Sequence, residues 1–185
     1  FILSCPLAYA PGTCYTYSCN GMILLGYILE KIYNMPLEKI FDEKVKKTLG
    51  YTRSKFNISI KEPNAAVCYR TDGLNGLEHP WDDENIRILK TSAGSGGQFF
   101  TMADIEKFAD AVMCRSNSLY SETIFDNAER NHVTNFGEAW GLGWLYVDEK
   151  YHQTGKLFPA GSFGHTGHTG TSMFFNRRMD MYVII

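Results

Sequence analysis

The sequence predicts an α+β fold, with helices in the first part of the chain and a meander of antiparallel strands at its end. Three observations carry this. Apolar residues recur at spacings of three and four between residues 20 and 47, and again between 101 and 115. From about residue 140 the period changes to short apolar runs divided by turns, which favours closely spaced antiparallel strands. With 185 residues, 44% of them hydrophobic and 21% charged, the chain has material for one domain with a real core and lacks the bias of a disordered tail.

The elements follow in order. Pro11-Gly12 marks a turn, and a helix runs from about Asn20 to Tyr33, its residues Met22, Leu25, Ile28, Leu29 and Ile32 forming one buried stripe. Asn34 ends it. Pro36 opens a second helix to about Lys47, with Leu37, Ile40, Phe41 and Val45 inward and Leu49-Gly50 as its close. Periodicity fades from Tyr51 to Leu89, where turn pairs such as Asp72-Gly73 and Asn75-Gly76 predict a long surface excursion of the kind that rims a site. The run from Thr91 to Gly97 is too glycine-rich for a helix or a central strand. Thr101 has N-cap chemistry, with Asp104 as a capping-box acid, for a helix to about Arg115 whose inward residues are Ile105, Phe108, Ala109, Val112 and Met113. Strands are expected at Trp140 to Val147, at Gly170 to Phe175 and, after the turn Asn176-Arg177-Arg178, at Met179 to Ile185.

Charge and composition narrow the function. The formal charge is −2 and neither sign gathers into a block, so nucleic acid is not an expected partner. The longest apolar run, Met22 to Leu25, falls far short of the roughly 20 residues of a membrane-spanning helix. Cysteines at 5, 14, 19, 68 and 114 show no zinc spacing and read most simply as free thiols, which favours a cytoplasmic compartment, with one disulfide plus spare thiols as the alternative. The chain opens on Phe1-Ile2-Leu3 without a visible signal peptide and closes on the strand-like run Met181 to Ile185; sequence beyond both ends is expected.

Two stretches carry candidate chemistry. Tyr15-Thr16-Tyr17-Ser18-Cys19-Asn20-Gly21 precedes a helix, where a tyrosine can serve as a base or as a donor to a leaving group; the plainer alternative is an aromatic pair under a loop with Asn20 as N-cap. Gly161 to Ser172 contains Gly164-His165-Thr166-Gly167-His168-Thr169-Gly170, whose glycines let the backbone approach a bound group and offer a main-chain N–H to an oxyanion. Turn glycines with surface histidines are the alternative. Metal binding through His165 and His168 lacks a nearby carboxylate or thiolate to complete a ligand set. The glycines at 94 to 97 lack the Gly-Lys-[Ser/Thr] of a phosphate loop, and no G-x-S-x-G elbow occurs. Cys19 at a helix start would be a thiolate nucleophile only with a histidine beside it, from positions 79, 132, 152, 165 or 168.

Four stretches in register give the chain a resemblance to a family: Pro11-Gly12 through Tyr17-Ser18-Cys19 to Gly26; Leu49-Gly50-Tyr51-Thr52; Ala93-Gly94 through Gly96-Gly97 and Thr101 to Asp104; and Gly164 to Ser172. They resemble the serine beta-lactamase-like family of class C beta-lactamases, D-alanyl-D-alanine carboxypeptidases and related esterases. The resemblance implies an incomplete beta-lactamase/transpeptidase-like domain, with a mainly helical subdomain at residues 10–135 and sheet strands with a His-Thr-Gly wall at 136–185. It implies a serine acyl hydrolase acting on an ester, peptide or beta-lactam bond of a small-molecule or peptide substrate, without a cofactor or metal. The family's nucleophile sits in a Ser-x-x-Lys motif, which is absent from this sequence, so this piece by itself is expected to be inactive. Tyr17 falls on the catalytic tyrosine, His165-Thr166-Gly167 on the Lys-Thr-Gly triad, and the main-chain N–H of His168 on half of the oxyanion hole. Cys19 falls on the substrate-binding asparagine, with Asn20 one residue late, and a thiol cannot replace an amide's polar pair. That departure supports the alternative of a non-catalytic binding or scaffold protein. Many members work outside the inner membrane, so the resemblance points to a periplasmic or extracellular site where the thiols point inward. An incomplete sheet also leaves apolar surface for self-association.

Overall fold

The computed structural model describes residues 2–56, 58, 62–66, 84–89, 91–150, 154 and 158–185, and no side chain at 84, 85 or 87. The turn pairs at 72–73 and 75–76, Cys68, His79 and His152 lie outside the described residues. Contacts divide the chain into two compact units, Phe1–Cys5 with Tyr17–Lys107, and Pro6–Thr16 with Phe108–Ile185. Among the described residues no helix is long and apolar enough to cross a membrane.

In the first unit, α1 spans Cys19–Tyr33 and is closed by Asn34 in the left-handed conformation at φ 50°. Pro36 precedes α2, Leu37–Phe41, whose first N–H is accepted at 2.9 Å by Glu30 Oε1 of α1. A π-helical turn, Asp42–Lys46, carries the chain into α3, Lys47–Leu49, which Gly50 closes at φ 65°. Leu37, Ile40 and Phe41 are buried as their spacing predicts. Phe41 meets Phe56 and Phe100 edge-on, at 5.6 and 6.1 Å between centroids, and Tyr51 adds a fourth ring.

The expected burial of the α1 stripe is corrected. Leu25 is 52% and Ile32 69% exposed, Met22, Ile28 and Leu29 are also exposed, and the buried residue of the helix is Gly26. The helix meets the glycine-rich loop through backbone: a Cβ on Gly94 would lie 2.1 Å from the Met22 carbonyl oxygen, and one on Gly26 would lie 2.9 Å from the Gly94 nitrogen. Packing this close needs two residues without side chains, so the tight contact falls on the glycines and not on the apolar stripe.

Strand β1, Lys55–Phe56, pairs antiparallel with β2, Gln98–Phe99. A short helix unforeseen in the sequence, α4, covers Glu84–Leu89 and buries Ile86 completely. Helix α5, Met102–Met113, is capped by Thr101, whose Oγ1 accepts the Asp104 N–H at 3.3 Å. Asp104 does not close a capping box. Its side chain is fully buried, with Oδ1 accepting the N–H of Thr52 and Oδ2 those of Arg53 and Ser54, all at 2.9 Å, and the Ser54 hydroxyl also donating to Oδ2. Burial raises this carboxyl's pKa, but the main-chain donors of Arg53, Thr52 and Ser54 and the Ser54 hydroxyl outweigh it and hold the group well below the usual carboxylate range.

The second unit contains α6, Glu122–Ala128, and a four-stranded antiparallel meander of β3, Leu145–Tyr146, β4, Phe163–Thr166, β5, Ser172–Asn176, and β6, Met181–Ile184. Alternation along β5 sends adjacent phenylalanines to different clusters. Phe175 joins Phe163, Ala109 and Val112, while Phe174 joins Leu145, Val147 and Phe158. The strand expected from Trp140 to Val147 shrinks to Leu145–Tyr146, because Trp140 bridges back to Leu145 and the Gly141 N–H bonds the Trp144 carbonyl at 2.7 Å. Only a glycine fits at 141, where a Cβ would lie 1.9 Å from the Ala128 carbonyl oxygen. Arg177 ties sheet to helices: it binds Glu129 and the Met113 carbonyl and lies over the rings of Phe125 and Phe163.

Candidate active site

The candidate residues fall into two groups, one on each unit. At the start of α1, Ser18 is the N-cap residue in extended conformation, without a side-chain capping bond, in place of the Asn20 cap considered from sequence. Cys19 and Asn20 are the first two helical residues and both are exposed. Tyr17 lies just before them with 58% of its surface exposed. Cys5, Cys14, Cys19 and Cys114 are exposed. Among the described residues no hydrogen bond reaches the Cys19 thiol.

The second group sits where β4 ends. His165 pairs across the ladder with Met173, and Thr166 with Ser172. The turn beyond is cinched by the Gly167 N–H to the Thr171 carbonyl at 2.7 Å and by the Gly170 N–H to the Gly167 carbonyl at 3.1 Å. Gly170 adopts φ 91°, which this turn reserves for glycine, and a Cβ on Gly167 would lie 2.3 Å from Thr171 Oγ1, so a side chain there would require the hydroxyl to move. Thr166, Gly167 and His168 are exposed along its rim. Among the described residues no hydrogen bond uses the main-chain N–H of His168.

His165 is half-buried, and its Nδ1 lies 2.7 Å from the Thr166 carbonyl oxygen. A carbonyl only accepts, so Nδ1 carries the proton. The imidazole also meets the Trp140 indole, with ring centroids 5.4 Å apart and planes at 57°. Tyr15 stacks on the same indole at 6.0 Å and 22°. Trp140 escaped notice because its segment reads as an ordinary strand, although its glycine neighbour was a signal of a bend. Asn131, which accepts the Trp140 N–H at 3.2 Å and donates to the Glu138 carbonyl, had no sequence signal.

A tyrosine before a helix and a glycine-bounded His-Thr-Gly edge are set in a chain of helices followed by an antiparallel meander, and a family model described as Beta-lactamase matches this chain over residues 1–185. The chain belongs to the beta-lactamase family. It is 28% identical over 191 residues to an Escherichia coli strain K12 protein to which D-alanyl-D-alanine carboxypeptidase activity is ascribed, an alignment covering 90% of this chain and 43% of that protein. The chain thus spans less than half the length of that relative. Among solved structures it is similar to a penicillin binding protein from Bacillus halodurans, with TM-score 0.72, 18% identity, and coverage of 97% of this chain and 53% of that one. It is similar also to a beta-lactamase from Mycobacterium bovis, with TM-score 0.69, 18% identity, and coverage of 95% and 57%. At these identities the two structures bear on the fold alone, and they agree with the helices and antiparallel strands of this beta-lactamase-family chain.

Proposed function

We propose that this chain forms part of the active-site wall of a serine acyl hydrolase, which cleaves an ester or amide bond in a small-molecule or peptide substrate through an acyl-enzyme. The observation that carries the reading is the rim at the end of β4. There the exposed Thr166-Gly167-His168 edge is held by the Gly167–Thr171 bond while the His168 N–H stays available to an oxyanion. Tyr17 would take the proton of the attacking hydroxyl and return it to the leaving group. His168 N–H would supply half of the oxyanion hole, and His165, Thr166 and Gly167 would line the substrate. Cys19 and Asn20 would flank the substrate at the helix start, with weaker polar recognition than an asparagine at 19 would give. The nucleophile and its lysine would come from a Ser-x-x-Lys segment that these 185 residues do not contain.

The test is intact mass after incubation with a fluorophosphonate. The expected result is no stoichiometric adduct on the 185-residue chain and one adduct on the protein that includes a Ser-x-x-Lys segment. An adduct mapped to a serine within this chain would overturn the assignment. Cys19 at the first position of α1 favours one second reading, a binding or scaffold protein that retains the wall without the chemistry. It predicts no adduct on either form.

A further inference from the structure

We propose that Trp140 is the positioning residue for His165, and that Tyr15 backs it, so that a column of three aromatic rings holds the imidazole in the orientation in which its Nδ1–H meets the Thr166 carbonyl. The proposal rests on the acyl-hydrolase reading only for its consequence in turnover; the column itself is a matter of geometry.

Trp140 is a fixed platform because its backbone is held on both sides. Its N–H is accepted by Asn131 Oδ1 and its carbonyl accepts the His132 N–H at 2.8 Å. The next residues close a turn, with the Leu142 N–H on the Ala128 carbonyl and the Gly141 N–H on the Trp144 carbonyl. The indole projecting from this anchored turn is covered on one side by Tyr15, stacked nearly parallel to it, and tilts against His165 at 5.4 Å. Offset or tilted ring pairs at such distances attract one another beyond the area they bury.

That is enough to select one rotamer among a few for a half-buried side chain. In the selected one, Nδ1–H donates to the Thr166 carbonyl, so Nε2 on the far side of the ring is the acceptor of the neutral imidazole. Loss of the indole weakens the preference for the rotamer in which Nδ1–H meets the Thr166 carbonyl, so that other rotamers, and with them the Nε2–H form, become populated. The Thr166-Gly167-His168 edge would keep its backbone, since the strand ladder and the Gly167–Thr171 bond hold it independently. Substitution of Trp140 should therefore disturb the imidazole and spare the turn.

The experiment is two-bond 1H–15N correlation of the histidine rings in the 15N-labelled chain, with His165 assigned by comparison with His165→Gln. The expected result is a predominantly Nδ1-protonated His165 whose ring protons are displaced by the indole ring current. Trp140→Leu should give averaged ring nitrogens and lose the displacement, while Trp140→Phe should keep the tautomer with a smaller displacement. An unchanged His165 ring in a Trp140→Leu chain with native amide resonances would overturn the proposal. Should that variant fail to fold, Tyr15→Leu is read in the same way, and an unaltered His165 ring there overturns it equally. In a protein that turns over an ester, Trp140→Leu is expected to lower kcat/KM by about tenfold to a hundredfold through misplacement of the site wall. The spectra need no turnover. Absence of hydrolysis by the protein that includes a Ser-x-x-Lys segment, with the expected spectra, sinks the acyl-hydrolase reading alone, and unchanged spectra with hydrolysis by that protein intact sink the positioning role alone.

Discussion

Replacing Asp104 tests the packing logic of the first unit most directly. The carboxylate is fully buried and accepts three main-chain N–H groups and the Ser54 hydroxyl at 2.9 Å, with the Thr52 hydroxyl at 3.3 Å and Lys107 Nζ at 3.5 Å. In Asp104→Ala these donors do not fare alike. Thr52 and Arg53 are exposed, so their N–H groups regain water, whereas Ser54 is only 1% exposed and its N–H loses its acceptor without replacement. One orphaned buried donor costs about 1–3 kcal/mol, and loss of the charge-assisted bonds brings the total to about 3–5 kcal/mol. Asp104→Asn preserves volume but turns an N–H₂ toward donors, so it should also cost at least about 1.5 kcal/mol. Urea unfolding followed by tryptophan fluorescence reads both values. A loss under about 1 kcal/mol for Asp104→Ala, or wild-type stability for Asp104→Asn, would refute the reasoning.

The same carboxylate fixes a pH signature. Its pKa is lower folded than unfolded, so the unfolded chain binds the proton more tightly. The stabilisation is complete above the unfolded value of about 4 and is lost as pH falls through that value towards the folded one. The difference in stability between wild type and Asp104→Asn should accordingly narrow with acidification below about pH 4.

Three further outcomes follow from other contacts. Gly94→Ala places a methyl against the Met22 carbonyl, where backbone cannot yield cheaply, and should cost about 1–3 kcal/mol by urea titration. Glu129→Gln removes the charge shared by Arg115 and Arg177 at a site 10% exposed and should cost about 1–3 kcal/mol, whereas Glu122→Gln, 60% exposed on the same Arg115, should cost under about 0.5 kcal/mol; equal effects would refute the distinction. Under the proposed function, Tyr17→Phe should leave stability nearly unchanged, because the side chain is 58% exposed, and lower kcat/KM for an ester about a hundredfold to ten-thousandfold in a protein competent for turnover.

Much of the architecture was legible because it rests on short-range rules. The αL closures at Asn34 and Gly50, the Thr101 cap and the antiparallel order of the last strands each depend on a few neighbouring residues. The candidate rim was legible for a similar reason, since Gly170 is demanded by one local turn that the Gly167–Thr171 bond closes. Where the reading failed, a distant partner had overridden the local signal. Asp104 looks like a helix-start acid, yet its acceptors serve residues 50 to 52 positions earlier. Trp140 looks like a strand residue until the Ala128 and Asn131 contacts bend its segment into a turn.

By itself, the sequence determined the α+β class, the helical runs at 19–33, 37–49 and 102–113 to within about two residues, the family and the glycine-bounded His-Thr-Gly edge, because periodicity, capping and turn chemistry act within a few residues. Only the tertiary structure decided that α1 packs through Gly26 and Gly94, that Asp104 clasps the 52–54 loop, and that Tyr15, Trp140 and His165 share a column. Those contacts join residues far apart in the chain, and which of the many donors and rings meet is settled by close packing and the demand to satisfy every buried polar group.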